Sequence, residues 1–141
     1  MTQIEFHFNA PDKLAYVCRL LRKASALEQG LWVIAPGEML QPLDAALWAV
    51  SATDFVTHCH AEDDSLRDHS SVILSAVCPD KALKTGIHLG ETCPEGFDRF
   101  ERWIEVVSTD PSDRAQARQR WKHYAALGYA LQRKDLHLKA P

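Results

Sequence analysis

Short apolar or alternating stretches recur along this chain and are separated by longer stretches with helical spacing. A half-buried strand alternates between apolar and polar residues, and a strand covered on both faces is apolar throughout. The pattern therefore predicts strands at IEFHF (4–8), LWVIA (31–35), DFVTH (54–58), SVILSAV (71–77), GIHLG (86–90) and ERWIEVVS (101–108). We expect a short helical turn at 97–100 to lead into the last of these strands.

Three longer segments carry apolar residues at the three- and four-residue spacing of a helix. They are residues 9–30, 38–50 and 110–128. Pro11 suits the first turn of the first helix, and Pro42 lies near the start of the second helix or kinks it. Asp110 can cap the third helix, Pro111 suits its first position, and Gly128 ends it.

Strands and helices alternate from end to end, which is typical of an α/β fold. We predict a single layered domain over residues 1–141, with a largely parallel sheet flanked by helices. Such a fold is Rossmann-like, but the first strand is followed by FNAPDK, and the sequence contains no GxGxxG, no GxxxxGK and no GxSxG elbow. The sequence therefore predicts this fold without a nucleotide-binding loop and without a cofactor.

The composition is that of an ordinary globular protein, with 46% hydrophobic residues and a net charge of -3. A mildly acidic molecule is not attracted as a whole to nucleic acid, so any anion binding needs a local basic patch. The four cysteines form no CxxC pair, and the sequence shows neither a signal peptide nor a membrane span. We therefore expect reduced thiols, no contact with membranes and a cytoplasmic location.

The stretch THCHAEDDSLRDH concentrates residue types that bind metal ions. They are His58, Cys59, His60, Glu62, Asp63, Asp64, Asp68 and His69. His58 and His60 would share one face of a strand, but the spacing matches neither a zinc-finger pair nor an HExxH helix. We favour a solvated acidic loop, and the alternative is a metal-dependent enzyme that uses His58–His69.

One tryptophan of the second predicted helix lies away from the core stripe. That stripe consists of Met39, Leu43, Leu47 and Val50. Trp48 lies about 100° beyond Leu47 around the helix. Phe55, seven residues further on, could lie beside Trp48 if the chain turns back as a strand. The two aromatic residues either pack under neighbouring loops or form an exposed hot spot for a partner.

The stretch DRAQARQRWKHYAALGY places Arg114, Arg118 and Lys122 at every fourth residue, which draws one basic line along a helix. Trp121 borders this line and also belongs to a narrow apolar stripe, so one edge of its ring can face the core while the other stays open. This arrangement suits a peptide that brings both a carboxylate and an apolar side chain. The alternatives are a solvated face or direct binding of single-stranded nucleic acid.

Two motifs in these helices, LDAALWAVSATDFVTH and ARQRWKHYAALGY, resemble the chi subunit of the bacterial DNA polymerase III holoenzyme. The resemblance extends over nearly the whole chain, including the SVILSAV and RWIEVVS strands. It implies a non-catalytic accessory subunit that joins the clamp-loader assembly through the psi subunit. It also implies that the protein holds the acidic C-terminal tail of single-stranded-DNA-binding protein, so that nucleic acid is bound only indirectly.

The resemblance also implies which residues bind these partners. Carried over by position, the tail-binding site consists of Val107, Arg118, Trp121 and Lys122. The surface for psi, or for a competing helicase-like partner, falls on Trp48 and Phe55. The family more often has tyrosine where this chain has Trp121, a change that keeps the ring and removes the hydroxyl. The expected tail is acidic and ends in an aromatic residue, which complements a basic line beside an open ring.

Overall fold

The computed structural model describes residues 2–25, 31–49, 58–60, 72–79 and 83–136. Its strands are β1 (Gln3–Ala10), β2 (Leu31–Ile34), β3 (His58–His60), β4 (Val72–Ser75), β5 (Leu83–His88), β6 (Phe100–Ser108) and β7 (Leu131–Asp135). Its α-helices are α1 (Lys13–Ser25), α2 (Gly37–Ala49) and α3 (Pro111–Ala126), and a short 3-10 helix covers Phe97–Arg99. No helix in the described ranges has the length and apolar character that crossing a membrane requires.

The described strands form one seven-stranded sheet in the order β3-β4-β2-β5-β6-β1-β7. Every neighbouring pair is parallel, from β3 with β4 at one edge to β1 with β7 at the other. Parallel strands need crossover connections, and along the chain α1 lies between β1 and β2, α2 between β2 and β3, and α3 between β6 and β7. The predicted α/β fold with a parallel sheet flanked by helices is confirmed.

The helices divide between the two faces of the sheet. On one face, α1 and α2 share an apolar cluster with residues of the central strands, among them Ile104 of β6. On the other face, α3 and the 3-10 helix share a second cluster with side chains of β1, β2 and β6, among them Trp103. Trp103 and Ile104 are consecutive, and consecutive residues of a strand point to opposite faces of a sheet. The face covered by α3 is the one that carries the candidate site.

Capping side chains set the starts of two helices. The carboxylates of Asp12 and Asp110 accept backbone hydrogen bonds in the first turns of α1 and α3. α3 begins at Pro111 as predicted, whereas α1 begins at Lys13, so that Pro11, expected in the first turn, precedes the helix. Gly128, just past α3, has a φ of 91°, a left-handed conformation that favours glycine and ends the helix there.

Three strands differ from the sequence-based expectation. The strand predicted at 54–58 is found at His58–His60, and residues 54–57 lie outside the described part of the chain. β5 begins at Leu83, three residues before the predicted GIHLG segment, and is central in the sheet. β7 is not predicted at all, because its LQRKD sequence is mostly polar.

Candidate functional site

A groove of about 340 Å³ lies between α3 and the part of the sheet formed by β6, β1 and β7. Its lining residues are Phe6, Phe8, Val107, Arg114, Ala117, Arg118, Trp121, Lys122 and Arg133. The four residues of the predicted tail-binding site, Val107, Arg118, Trp121 and Lys122, are all among them. The fold therefore brings these four side chains to one surface.

The floor of the groove is apolar. Phe6 and Phe8 alternate along β1, so both side chains belong to the face of the sheet that α3 covers. Val107 of the neighbouring strand β6 is in the same cluster and is only 2% exposed. Ala117 of α3 also lines the groove, and its single methyl group leaves room between the helix and the sheet.

Trp121 spans the boundary between the core and the groove. Its ring meets Phe6 nearly edge-on, with centroids 5.1 Å apart and planes inclined at 64°. The guanidinium carbon of Arg133 lies 6.0 Å from the centroid of the Trp121 ring, which is within the range of a cation–π interaction. Trp121 thus packs against the core and also lines the groove, as its place beside both the basic line and the apolar stripe predicts.

Four exposed basic side chains surround the apolar floor and form the basic rim of the groove. Arg114, Arg118 and Lys122 follow one another along α3, and Arg133 comes from β7. Within the described ranges, none of the four forms an ion pair with an acidic side chain. A ligand with carboxylates close to an apolar side chain would therefore find free cations around an apolar surface.

The sequence pattern does not predict the contributions of β1 and β7 to this groove. Phe6 and Phe8 lie in a predicted strand, but a strand pattern does not tell which helix covers each face. The alternation of IEFHF is the signal that places both rings on one side. Arg133 lies in the strand that was not predicted, and its register opposite Phe6 is what brings it to the groove.

A buried polar network joins α3 to β6 next to the groove. Glu105 of β6 is fully buried, and one of its carboxylate oxygens accepts from Arg120 Nε at 3.0 Å and lies 2.7 Å from His88 Nδ1. The other oxygen accepts from Trp103 Nε1 at 2.9 Å and from the Tyr124 hydroxyl at 2.5 Å. Because Arg120 and Tyr124 are one turn apart on α3, this carboxylate fixes which side of the helix faces the sheet.

The protonation of this network follows from its burial. Burial by itself raises the pKa of Glu105, but the charge and hydrogen bond of His88, together with Arg120 and Tyr124, more than offset this and hold that pKa below its ordinary value. Burial, with the nearby Glu105 carboxylate, raises the pKa of Tyr124. The carboxylate is therefore ionised and the phenol keeps its proton, which is the pairing that the Tyr124–Glu105 hydrogen bond requires.

The first turn of α3 is tied to the carboxyl ends of two strands. Asp113 accepts from the backbone N–H of Ser108 at 2.8 Å and from Lys13 Nζ at 3.2 Å. Lys13 also donates to the carbonyl of Leu89 at 3.2 Å. Burial by itself raises the pKa of Asp113, but the bonds from Ser108 and Lys13 hold it below its ordinary value. Contacts along its length therefore fix the helix that carries three of the four basic side chains.

The remaining predicted residues fall mainly outside the described part of the chain. Trp48 is in the last turn of α2, but its side chain is outside this part, as is all of Phe55. His58 and His60 are in β3, and the acidic stretch that follows them is not described. Among the described residues, no group of three or more His, Cys, Asp or Glu side chains could hold a metal ion.

Comparisons with known proteins give the family. Residues 1–132 match the family model described as DNA polymerase III chi subunit, HolC. The chain is 29% identical over 140 residues to DNA polymerase III subunit chi of Pseudomonas aeruginosa strain PAO1, over 94% of this chain and 95% of that relative.

The fold is also similar to that of a chain in a solved structure of an S. cerevisiae Dbp5 variant bound to Nup159, a Gle1 variant, IP6 and ADP. The TM-score is 0.63 at 12% identity, over 96% of this chain and 42% of that chain, and this likeness shows the fold alone. The family match, by contrast, spans nearly all of the sequence. The chain therefore belongs to the family of DNA polymerase III chi subunits, which are non-catalytic accessory subunits of that polymerase.

Proposed function

We propose that this protein binds the acidic C-terminal tail of single-stranded-DNA-binding protein in the groove between α3 and the sheet. The proposal depends on one observation: a single groove combines an apolar floor with four basic side chains that lack an acidic partner among the described residues. A tail that is acidic and ends in an aromatic residue complements both features.

The two parts of the groove would contribute differently to binding. The aromatic end of the tail would lie on Phe6, Phe8 and Val107, where burial of apolar surface stabilises a complex by about 25 cal/mol per Å². The acidic residues of the tail would pair with Arg118 and Lys122. Exposed charge pairs are screened over about 10 Å at 0.1 M salt, so affinity should fall as salt rises while the apolar part persists.

In this proposal the protein acts as a link between two assemblies. Binding of the tail would tether the clamp-loader complex of the polymerase to template coated with single-stranded-DNA-binding protein in the cytoplasm. The protein would contact nucleic acid only indirectly, which agrees with its net charge of -3. Neither a cofactor nor a catalytic group is needed for this role.

A peptide titration tests the proposal. A fluorescently labelled tail peptide is titrated with wild-type protein and with the double variant Arg118→Glu, Lys122→Glu. Reversal of two rim charges should weaken binding by about tenfold or more, because like charges would then face the acidic peptide. The matched control Arg19→Glu, Lys23→Glu reverses two exposed charges on α1, which packs on the other face of the sheet, and should bind as wild type does.

Two outcomes would count against the proposal. Equal affinity of the wild type and the Arg118→Glu, Lys122→Glu variant would place the site elsewhere. A parallel titration with a single-stranded oligonucleotide tests the alternative that the basic rim and the partly exposed Trp121 ring bind single-stranded nucleic acid directly. Binding of the oligonucleotide but not of the peptide would make this protein a direct nucleic-acid binder.

We propose a second interface at the end of α2, for the psi subunit or a helicase-like partner. Leu43 and Leu47 are buried in the core, and Trp48 follows about 100° further around the helix. Trp48→Ala should therefore weaken capture of that partner without lowering the melting temperature, and Phe55→Ala should act in the same way. A lower melting temperature with unchanged capture would assign Trp48 to the core.

A further inference from the structure

The strand β7 forms a side of the groove that faces the helix. β7 pairs in parallel with β1, and its register sets Arg133 opposite Phe6. Leu131, two residues earlier and therefore on the same face of the strand, packs against the apolar cluster that α3 covers, as Trp121 does. The guanidinium carbon of Arg133 lies over the Trp121 ring, 6.0 Å from its centroid. The groove thus includes a cation that does not belong to α3.

We infer that Arg133 is both a ligand-contacting and a positioning residue of this groove: it stacks on Trp121 and pairs with a carboxylate of the bound acidic peptide. The inference rests on the proposed function, because it assigns a role in binding the same peptide. It goes further in requiring that the peptide place negative charge on the β7 side of the groove as well as on the α3 side.

The positioning role follows from the contacts of the Trp121 ring. Phe6 meets the ring nearly edge-on at 5.1 Å, and Arg133 lies over it at 6.0 Å. A partly exposed indole that contacts two neighbouring side chains has fewer open rotamers than a free one. Binding a ligand then costs less rotamer freedom, and this raises affinity without a new contact to the ligand.

The ligand-contacting role follows from the charges around Arg133. Asp135 is on the same side of β7, but its carboxylate accepts from Asn9 Nδ2 at 2.9 Å. Arg133 has no acidic partner within the described ranges. A guanidinium can stack its plane on a ring while its N–H groups donate to a carboxylate, and a lysine ammonium cannot do both. The difference between arginine and lysine at this position is therefore the test.

The experiment measures a double-mutant cycle with a labelled acidic peptide that ends in an aromatic residue. Arg133→Lys and Arg133→Gln are each made in the wild type and in Trp121→Leu, which keeps an apolar side chain beside Phe6. In the wild type, we expect about threefold weaker binding for Arg133→Lys, which loses the stack, and about tenfold for Arg133→Gln, which also loses the charge. In the Trp121→Leu background, Arg133→Lys should no longer lower the affinity for the peptide. Arg133→Gln should still lower that affinity, but by less than in the wild type.

The outcomes separate this inference from the proposed function. Wild-type affinity of Arg133→Lys, or the same threefold loss in both backgrounds, would overturn the positioning role. Wild-type affinity of Arg133→Gln would overturn the contact with the peptide, and the proposed function would stand as long as Arg118→Glu, Lys122→Glu still weakens binding. Failure of the wild type itself to bind would overturn both. Arg19→Lys and Arg19→Gln, at an exposed arginine of α1, are the controls and should bind as wild type does.

Discussion

Arg120 donates from Nε to the carboxylate of Glu105 at 3.0 Å, and the two side chains are 2% and 0% exposed. Along α3, Arg120 lies between the groove residues Arg118 and Trp121, but it faces the interior. One helix therefore carries a buried arginine that fixes it to the sheet and exposed basic residues that are free to meet a ligand. Stability and peptide binding should depend on different residues of the same helix.

The first prediction compares two arginines of α3 that are two residues apart. Arg120→Leu leaves the Glu105 carboxylate buried without its guanidinium, and loss of one partner of a buried ion pair typically costs about 3–5 kcal/mol. Arg118→Leu removes an exposed group and should leave the free energy of unfolding almost unchanged. Urea unfolding measures both. Equal costs for the two variants would contradict the division between a buried and an exposed arginine.

The second prediction concerns acid unfolding and Glu5. Hydrogen bonds from His7 and Arg102 hold the pKa of Glu5 at about 2, below its ordinary value of 4.5. A lowered folded-state pKa contributes stability that is fully present above pH 4.5 and is lost as the pH falls toward about 2.

Glu5→Gln should therefore lower the urea midpoint near neutral pH, and the gap from the wild type should narrow through this acid window. Glu101→Gln, at an exposed position on β6, is the control and should follow the wild type throughout. A gap between wild type and Glu5→Gln that is constant down to about pH 2 would show that the ionised Glu5 does not stabilise the fold.

The third prediction compares two glycines. A Cβ atom at Gly86 of β5 would lie 2.6 Å from the ring of Trp103, which is fully buried and cannot move aside. Gly86→Ala should cost about 1–3 kcal/mol in the free energy of unfolding, as overpacking of a core does. At Gly37, in the first turn of α2, a Cβ atom would meet nothing within 4 Å. Gly37→Ala should be neutral or stabilising by up to about 1 kcal/mol. A larger loss of stability for Gly37→Ala than for Gly86→Ala would contradict the contact between Gly86 and the Trp103 ring.

The fourth prediction concerns the acidic stretch at 58–69. Its spacing of potential ligands matches neither a zinc-finger pair nor an HExxH helix, so we expect purified protein to carry no tightly bound metal and a chelator to leave its melting temperature unchanged. A structural metal contributes directly to the free energy of folding. Stoichiometric zinc or iron, together with a chelator-induced fall in melting temperature, would instead favour the metal-dependent enzyme.

The sequence predicts α3 well because local interactions determine it. The cap at Asp110, the proline at position 111 and the glycine after the helix all act within a few residues, and the spacing of Arg118 and Lys122 then follows from helix geometry. The same helix geometry predicts that Trp121 lies at the edge of the core. These residues make up one side of the groove.

The other side could not be predicted because it depends on contacts between distant parts of the chain. β7 is a strand because it pairs with β1, more than 100 residues earlier, and its polar sequence carries no strand signal. The strand order that puts β1 between β6 and β7 decides that Phe6 lies under α3 and that Arg133 reaches Trp121. Tertiary pairing of this kind overrides local propensity.

Above all, we propose that the groove recognises the C-terminal end of an acidic tail. The most direct measurement is calorimetric titration of the wild-type protein with intact single-stranded-DNA-binding protein and with the same protein lacking only its last, aromatic residue. We predict measurable binding of the intact protein and binding that is weaker by about tenfold or more after the deletion, since the aromatic end fills the apolar floor. Equal heats and equal affinities for the two proteins would show that the groove does not recognise the aromatic end of the tail.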